Sequence, residues 1–321
     1  MSLGLDRADS GRLRGPLRHG LGIALVRTAR PAQWPKNLLV LAAPAASGTL
    51  LARGVLAPAL AAAAVFTIAA SATYFVNDAA DVDADRAHPE KRHRPVAAGL
   101  VGRQTAYRVG LLLAAVSLAA AAPLGWGLTA VAGGYLALTL SYSRWLKAVP
   151  VVDILAVAGG FVLRAVAGAL VTGLALSDWF LLVTLFGSLF LVAAKRAAER
   201  RRSAAGAVGG VGAVGTTGAA GAVGRRVLAV YPPGWLDQVM TVALTGSVIA
   251  YAAWAFQYVG ADVSRPVLAL SAVPFLAALL RYSLLTFAGG GEAPEHMLTD
   301  RFLVGCGLVW ALLVGAGLYL T

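Results

Sequence analysis

The sequence predicts an all-α, polytopic membrane protein of nine transmembrane helices with its N-terminus in the cytoplasm. Three observations predict it. The chain is 59% hydrophobic and only 13% charged, whereas soluble domains carry about a quarter charged residues. Its apolar residues gather into nine segments, most of them near the roughly 20 residues that cross a bilayer. Its Lys and Arg sort to one side of those segments.

The apolar segments lie near 37–53, 55–77, 107–122, 126–143, 151–173, 178–194, 236–258, 266–287 and 302–320. Breakers support these boundaries. "APLGWG" (122–127) splits an otherwise charge-free run, "GALS" with Asp178 separates the fifth segment from the sixth, and "SRP" (264–266) opens the eighth. With the N-terminus inside, 24 of the 27 Lys and Arg fall on cytoplasmic stretches. Only Arg53 and Arg265 fall outside, and Arg164 lies within a span. An eight-span arrangement would scramble the later loops.

The formal charge of +12 sits at the ends of apolar segments. Topology and lipid headgroups account for it there, so membrane lipids and not nucleic acid are the expected partners. Cys306 is the one cysteine, which excludes an intrachain disulfide. The Arg-rich first 30 residues lack the apolar core of a cleavable leader. Residues 1–28 read as a cytoplasmic N-terminal segment and 29–321 as the transmembrane domain. Within it, 203–224, "SAAGAVGGVGAVGTTGAAGAVG", reads as a flexible cytoplasmic insert. The Ala, Gly and Arg bias points to a GC-rich genome.

The second span runs into "NDAADVDADRAHPEKRHRPVAAG" (77–99). If its helix continues, Asp78, Asp81 and Asp85 stand at i, i+3 and i+7 on one face, with Asp83 turned elsewhere. Three carboxylates on one face repel each other unless cations join them. Acid at a helix C-terminus also opposes the dipole. The arrangement therefore reads as a metal site. Oxygen-only donors favour a hard cation, and Mg²⁺ is the usual one where phosphates complete the shell.

Asp153, near the start of the fifth span, is the candidate for a second acidic site facing the first. Arg164 lies eleven residues on, three turns away on nearly the same face. An intramembrane Arg is a functional candidate by default, although an Asp153–Arg164 or Arg164–carbonyl contact would be structural. Further cations come from Lys147, from Lys195 and Arg196 in "AAKRAAER", and from Lys91, Arg92 and Arg94 behind the acidic motif. Lys and Arg grip phosphate oxygens, Arg in bidentate fashion.

The run Asn77–Asp85 followed by "RPVAAG" resembles the first Asp-rich motif of the UbiA superfamily of intramembrane prenyltransferases, and "YSRWLKAVPVVD" (142–153) resembles its second conserved region. Within that superfamily, "RPAQWPKNLLVLAAP" (30–44), "AAKRAAER" (193–200), "RRVLAVYPPGWLDQVM" (225–240) and "GGGEAPEHMLTDRFL" (289–303) resemble the decaprenyl-phosphate phosphoribosyltransferases. Two departures stand out. The 203–224 insert replaces a shorter, more charged loop, and only Asp153 represents a usually Asp-richer second motif.

The resemblance implies a UbiA-like bundle in a bacterial plasma membrane, with its site facing the cytoplasm. It also implies a reaction: phosphoribosyl diphosphate plus polyprenyl phosphate gives polyprenyl-phosphoryl-5-phosphoribose plus diphosphate, a feed for arabinose donors of a cell wall. Asp78, Asp81 and Asp85 would hold Mg²⁺ and Asn77 would orient them. Asp153 would complete a second metal site or contact the ribose. Lys36, Lys147, Lys195 and Arg196 would bind phosphate on either substrate. Lys91, Arg92 and Arg94 would grip the 5-phosphate, and Tyr142 and Arg164 would join the substrate-binding set. His88 and His93 are expected to be loop residues, since the attacking lipid phosphate is already anionic. A homo-oligomer is compatible with such a bundle. Two rivals stand beside this reading. One is a prenyltransferase moving a prenyl group from prenyl diphosphate to an aromatic or glyceryl acceptor. The other is a transporter, against which the carboxylates cluster at one membrane face and not at mid-membrane.

Overall fold

The structure is a computed structural model that describes residues 17–209, 226–257, 264–287 and 300–320. Those residues are helical with connecting turns and contain no strand. The order is α1 (Leu17–Thr28), a 3-10 segment (Pro31–Leu41), α2 (Ala42–Ala46), α3 (Leu56–Ala80), α4 (Val82–Ala87), α5 (Arg103–Ala121), α6 (Trp126–Arg144), α7 (Val152–Thr172), α8 (Asp178–Gly209), α9 (Trp235–Gln257), α10 (Arg265–Leu270), α11 (Ala272–Phe287) and α12 (Arg301–Tyr319).

Seven helical stretches are long and apolar enough to cross a membrane: those built on α3, α5, α7, α8, α9, α10 with α11, and α12. The 19-residue α6 is an eighth long helix. The first expected span, 37–53, is not one helix. It is the end of the 3-10 segment, then the five-residue α2, then turns. Pro44 lies within this run and Pro35 two residues before it, and each lacks the N–H that an α-helix interior uses.

The insert expected at 203–224 also begins differently. α8 continues without a break through Gly209, because Ala-rich sequence extends a formed helix at little cost. Residues 210–225 and the "GEAPE" stretch lie outside the described residues, as do 1–16.

The largest apolar core joins α3, α5, α6 and α7 around Phe66, Leu128, Tyr135 and Val40. The 3-10 segment presses into it. A Cβ on Gly168 of α7 would stand 1.8 Å from the Val40 carbonyl oxygen, so only glycine admits that approach. A second core joins α8, α9 and α11 around Phe190, Met240 and Tyr282.

Two non-glycine residues among those described have positive φ: Arg30 (φ 53°) and Val151 (φ 68°). Arg30 reaches the acidic motif through Asp78, and Val151 lies four residues after Lys147, which reaches it through Asp81.

Candidate active site at the acidic end of α3

α3 ends at Ala80, and Asp81 serves as its C-cap and as the first residue before α4. The Asp81 N–H donates to the Asn77 carbonyl at 2.9 Å. The break is slight, so the motif still sorts its acids. Asp78 and Asp85 are 2% and 4% exposed. Asp81 is half-buried, and Asp83 faces outward within 3.7 Å of Arg86 and Arg103.

Buried carboxylates need partners, because an uncompensated buried charge costs several kcal/mol. Each of these has one. The Arg94 guanidinium lies between two acids, 3.3 Å from Asp78 Oδ1 and 2.7 Å from Asp85 Oδ2. Arg30 donates to Asp78 Oδ1 at 2.5 Å and lies 4.9 Å over the Tyr74 ring. Lys147 Nζ donates to both oxygens of Asp81, at 2.7 and 2.9 Å. Three cations thus face three carboxylates. Asn77 is half-buried on α3, and its carbonyl fixes the turn.

The loop that carries Arg94 is organised locally. His88 Nδ1 accepts from the N–H groups of Glu90 and Lys91 at 3.2 and 3.4 Å. Burial, and then the Lys91 charge, hold the His88 imidazole below its usual pKa. His88 caps α4, His93 ends the one-turn 3-10 segment Lys91–His93, and Arg92 is exposed beside His93.

Asp153 does not face this cluster as a free acid. It is fully buried and already bonded. Arg196 Nε lies 3.3 Å from its Oδ2, and the Tyr231 hydroxyl donates to its Oδ1. Arg196 also reaches Tyr142 Oη (2.9 Å) and Glu199 (3.1 Å). Tyr231 stacks on Trp235 with ring centroids 4.6 Å apart. Burial, together with the bond to Asp153, pushes the Tyr231 hydroxyl up to about 12, so it remains a donor at neutral pH.

Arg164 lies deeper, 6% exposed, and pairs with no carboxylate among the described residues. Three neutral acceptors satisfy it at 2.8 Å each: Asn37 Oδ1, the Gly160 carbonyl and Tyr135 Oη. The Tyr135 ring lies 4.6 Å from its guanidinium carbon. The carbonyl contact is therefore real, and Asp153 is not its partner. Lys36 donates to Gln33, and Lys195 is exposed on α8.

Sequence reasoning missed Arg30 and Tyr231. Arg30 precedes Pro31, a position biased away from the right-handed helix, which was the available signal. Tyr231 in "VYPPGW" gave none, since its partners lie about 80 residues away in the chain.

Between α6, α7 and α8 runs an apolar groove of about 410 Å³, lined by residues that include Leu138, Val162, Leu163, Leu181 and Leu185. Leu138 is one helical turn from Tyr142, whereas Leu181 and Leu185 lie near the N-terminal end of α8, more than ten residues from Arg196.

The helical bundle thus carries a cluster of acids and cations at the end of α3 and an apolar groove among α6, α7 and α8. The UbiA prenyltransferase family profile matches residues 40–286, which covers both. The chain belongs to the UbiA prenyltransferase family. Its relatives include the decaprenyl-phosphate phosphoribosyltransferase of Corynebacterium glutamicum, 39% identical over 97% of this chain and 91% of that protein. The enzyme of the same name from Mycobacterium tuberculosis is 41% identical over 91% of this chain and 93% of its own length. A UbiA homologue from Archaeoglobus fulgidus bound to GPP and Mg²⁺ shares the fold, with TM-score 0.68 and 19% identity over 91% of this chain and 97% of that one.

The acids raise the question of a divalent cation. Among the described residues, no three carboxylate, imidazole or thiol groups converge on one point; Arg30, Arg94 and Lys147 lie against the acids instead. The donors themselves fit a hard cation: three carboxylates between 78 and 85, oxygen ligands only, with buried anions at two of them.

Proposed function

We propose that this UbiA protein transfers the 5-phosphoribosyl group of phosphoribosyl diphosphate to a polyprenyl phosphate, releasing diphosphate. The observation that carries this reading is the matched set of three acids and three cations, with more basic residues around it on the same loops. A site for a prenyl diphosphate needs to hold one diphosphate, whereas this donor brings a diphosphate and a 5-phosphate. The relatives at 39% and 41% identity bear the corresponding name over nearly their full lengths.

Asp78, Asp81 and Asp85 would hold Mg²⁺. Bound there, the metal would supply charge neutralisation for the leaving diphosphate. Arg30, Arg94 and Lys147 already point into this space and can turn from carboxylate to phosphate oxygens, with Lys91 and Arg92 supplying charge for the 5-phosphate. Arg196 and Tyr142, the latter one helical turn from Leu138 of the apolar groove, would hold the lipid phosphate, with the polyprenyl chain in the groove. An oxygen of that phosphate attacks ribose C1. The C1–O bond to the diphosphate breaks, and the diphosphate leaves with the electron pair. No side chain needs to remove a proton, because the nucleophile is already an anion.

The distribution of Lys and Arg supports nine spans with this end of the bundle in the cytoplasm, where a soluble phosphosugar would arrive. The plasma membrane of a GC-rich bacterium and a supply of lipid-linked pentose for cell-wall synthesis fit that placement. The second reading, prenyl transfer to an aromatic or glyceryl acceptor, is favoured by the shared fold with a homologue that binds GPP. Offering purified protein both donors decides between them. Label from phosphoribosyl diphosphate is expected in the lipid phase. Transfer only from prenyl diphosphate to an aromatic acceptor would overturn the proposal.

A further inference from the structure

Val151 closes a tight turn in a conformation that a β-branched residue rarely adopts, φ 68° and ψ −47°. The Val152 N–H donates to the Pro150 carbonyl at 2.8 Å, which makes this a γ-turn of the strained, positive-φ kind. Such a conformation costs of order 1–3 kcal/mol and persists only where its surroundings enforce it. The Val151 side chain does not enforce it, being 41% exposed.

One hydroxyl does. The Val151 N–H donates to Tyr231 Oη at 2.7 Å, and the same hydroxyl donates to Asp153. Both anchors of that hydroxyl are fixed. Asp153 is fully buried and held by Arg196. Tyr231 is 4% exposed, stacked on Trp235 and packed among Ala197, Val227 and Leu228. Four residues before the turn stands Lys147, on the 3-10 turn Leu146–Ala148, with its ammonium on Asp81. The segment between α8 and α9 therefore reaches across to the loop between α6 and α7.

We propose that Tyr231 is a positioning residue: by holding the strained turn at Val151, its hydroxyl sets Lys147 against Asp81 at the donor site. The catalytic part of this inference rests on the proposed phosphoribosyl transfer. The structural part does not.

The test uses the full chain in lipid nanodiscs and acylation of Lys147 by an amine-reactive ester, read by mass spectrometry. Tyr231→Phe is expected to raise Lys147 labelling at least about fivefold. It should raise KM for phosphoribosyl diphosphate about tenfold while kcat stays within about threefold, the signature of lost binding. Glycine adopts positive φ freely, so adding Val151→Gly to Tyr231→Phe should return both labelling and KM toward wild type. Unchanged labelling in Tyr231→Phe overturns the proposal, as does a rise in labelling and KM that adding Val151→Gly does not reverse. Val151→Gly alone covers the case in which Tyr231→Phe does not fold. It should keep wild-type labelling and a thermal midpoint no lower than wild type, and a lower midpoint overturns the strained turn. Because labelling needs no turnover, the latch and the reaction fail separately: a wild-type chain inactive towards both substrates sinks the reaction alone.

Discussion

Lys147 and Asp81, 66 residues apart in sequence, form a two-pronged ion pair: one ammonium reaches both carboxylate oxygens, at 2.7 and 2.9 Å. Both side chains are about 30% exposed. A pair so placed adds little stability, on the order of 0–1 kcal/mol. Its value lies in where it keeps the charge. Lys147→Ala is expected to leave the thermal midpoint within a few degrees and to raise KM for phosphoribosyl diphosphate at least about tenfold. Steady-state kinetics beside a melting curve checks both halves.

Asp78 and Asp83 are five residues apart and should respond oppositely. Asp78 is buried between Arg30 and Arg94, whereas Asp83 is exposed. Asp78→Asn should lower transfer by at least about a hundredfold, the scale of losing one group that stabilises developing charge. Asp83→Asn should stay within about twofold. A labelled-donor assay on matched amounts of protein reads the contrast.

Arg30 combines a strained backbone with a guanidinium on Asp78. Arg30→Ala and Arg30→Gly both remove the cation, but only glycine takes φ 53° at no steric cost. Both variants should lose activity alike, and Arg30→Gly should be the more stable by about 1 kcal/mol. Paired denaturation curves check the difference.

Asn37 is the neutral partner of a buried charge. It is 1% exposed and accepts from Arg164 Nε at 2.8 Å. Asn37→Leu leaves that N–H unsatisfied, at a cost of about 1–3 kcal/mol. Adding Arg164→Met removes the orphaned group, so the double variant should lose less than the sum of the singles. Thermal unfolding of the four proteins measures the coupling.

His88 gives the acidic loop a pH dependence of known sign. Its neutral Nδ1 accepts two N–H groups, and its folded pKa is lowered by burial and then by Lys91, with Glu90, Asp85 and Arg94 also acting on it. The loop is therefore fully supported above the unfolded histidine value of about 6.5. Support is lost as pH falls through the lowered folded value. KM for phosphoribosyl diphosphate should rise below that point in wild type. His88→Asn, which keeps an acceptor that does not titrate, should show no such rise attributable to this residue. KM measured across pH 5–8 in both proteins tests it.

Much of this was legible in the sequence because it is local. Apolar runs mark α3, α5 to α9 and the later helices, since burial in lipid selects composition over a whole span. Helical spacing grouped Asp78, Asp81 and Asp85 and set Asp83 apart. What escaped depends on contacts distant in the chain. Nothing near Asp153 says that Arg196 and Tyr231 have taken its lone pairs, so it read as completing a second metal site or contacting the ribose. Arg30 read as a topology signal because its left-handed backbone is invisible without coordinates. The first span read as one helix because hydropathy does not register the change from 3-10 to α-helix to turns around Pro35 and Pro44.

The most direct test follows both ends of the donor. Phosphoribosyl diphosphate carrying ¹⁴C in the ribose and ³²P in the β-phosphate is given with polyprenyl phosphate and Mg²⁺ to the protein in nanodiscs. The expected result is ¹⁴C in the lipid phase, ³²P in water as diphosphate, and neither transfer after chelation. Wild-type protein that leaves ¹⁴C in the aqueous phase while moving a prenyl group from prenyl diphosphate would contradict the account.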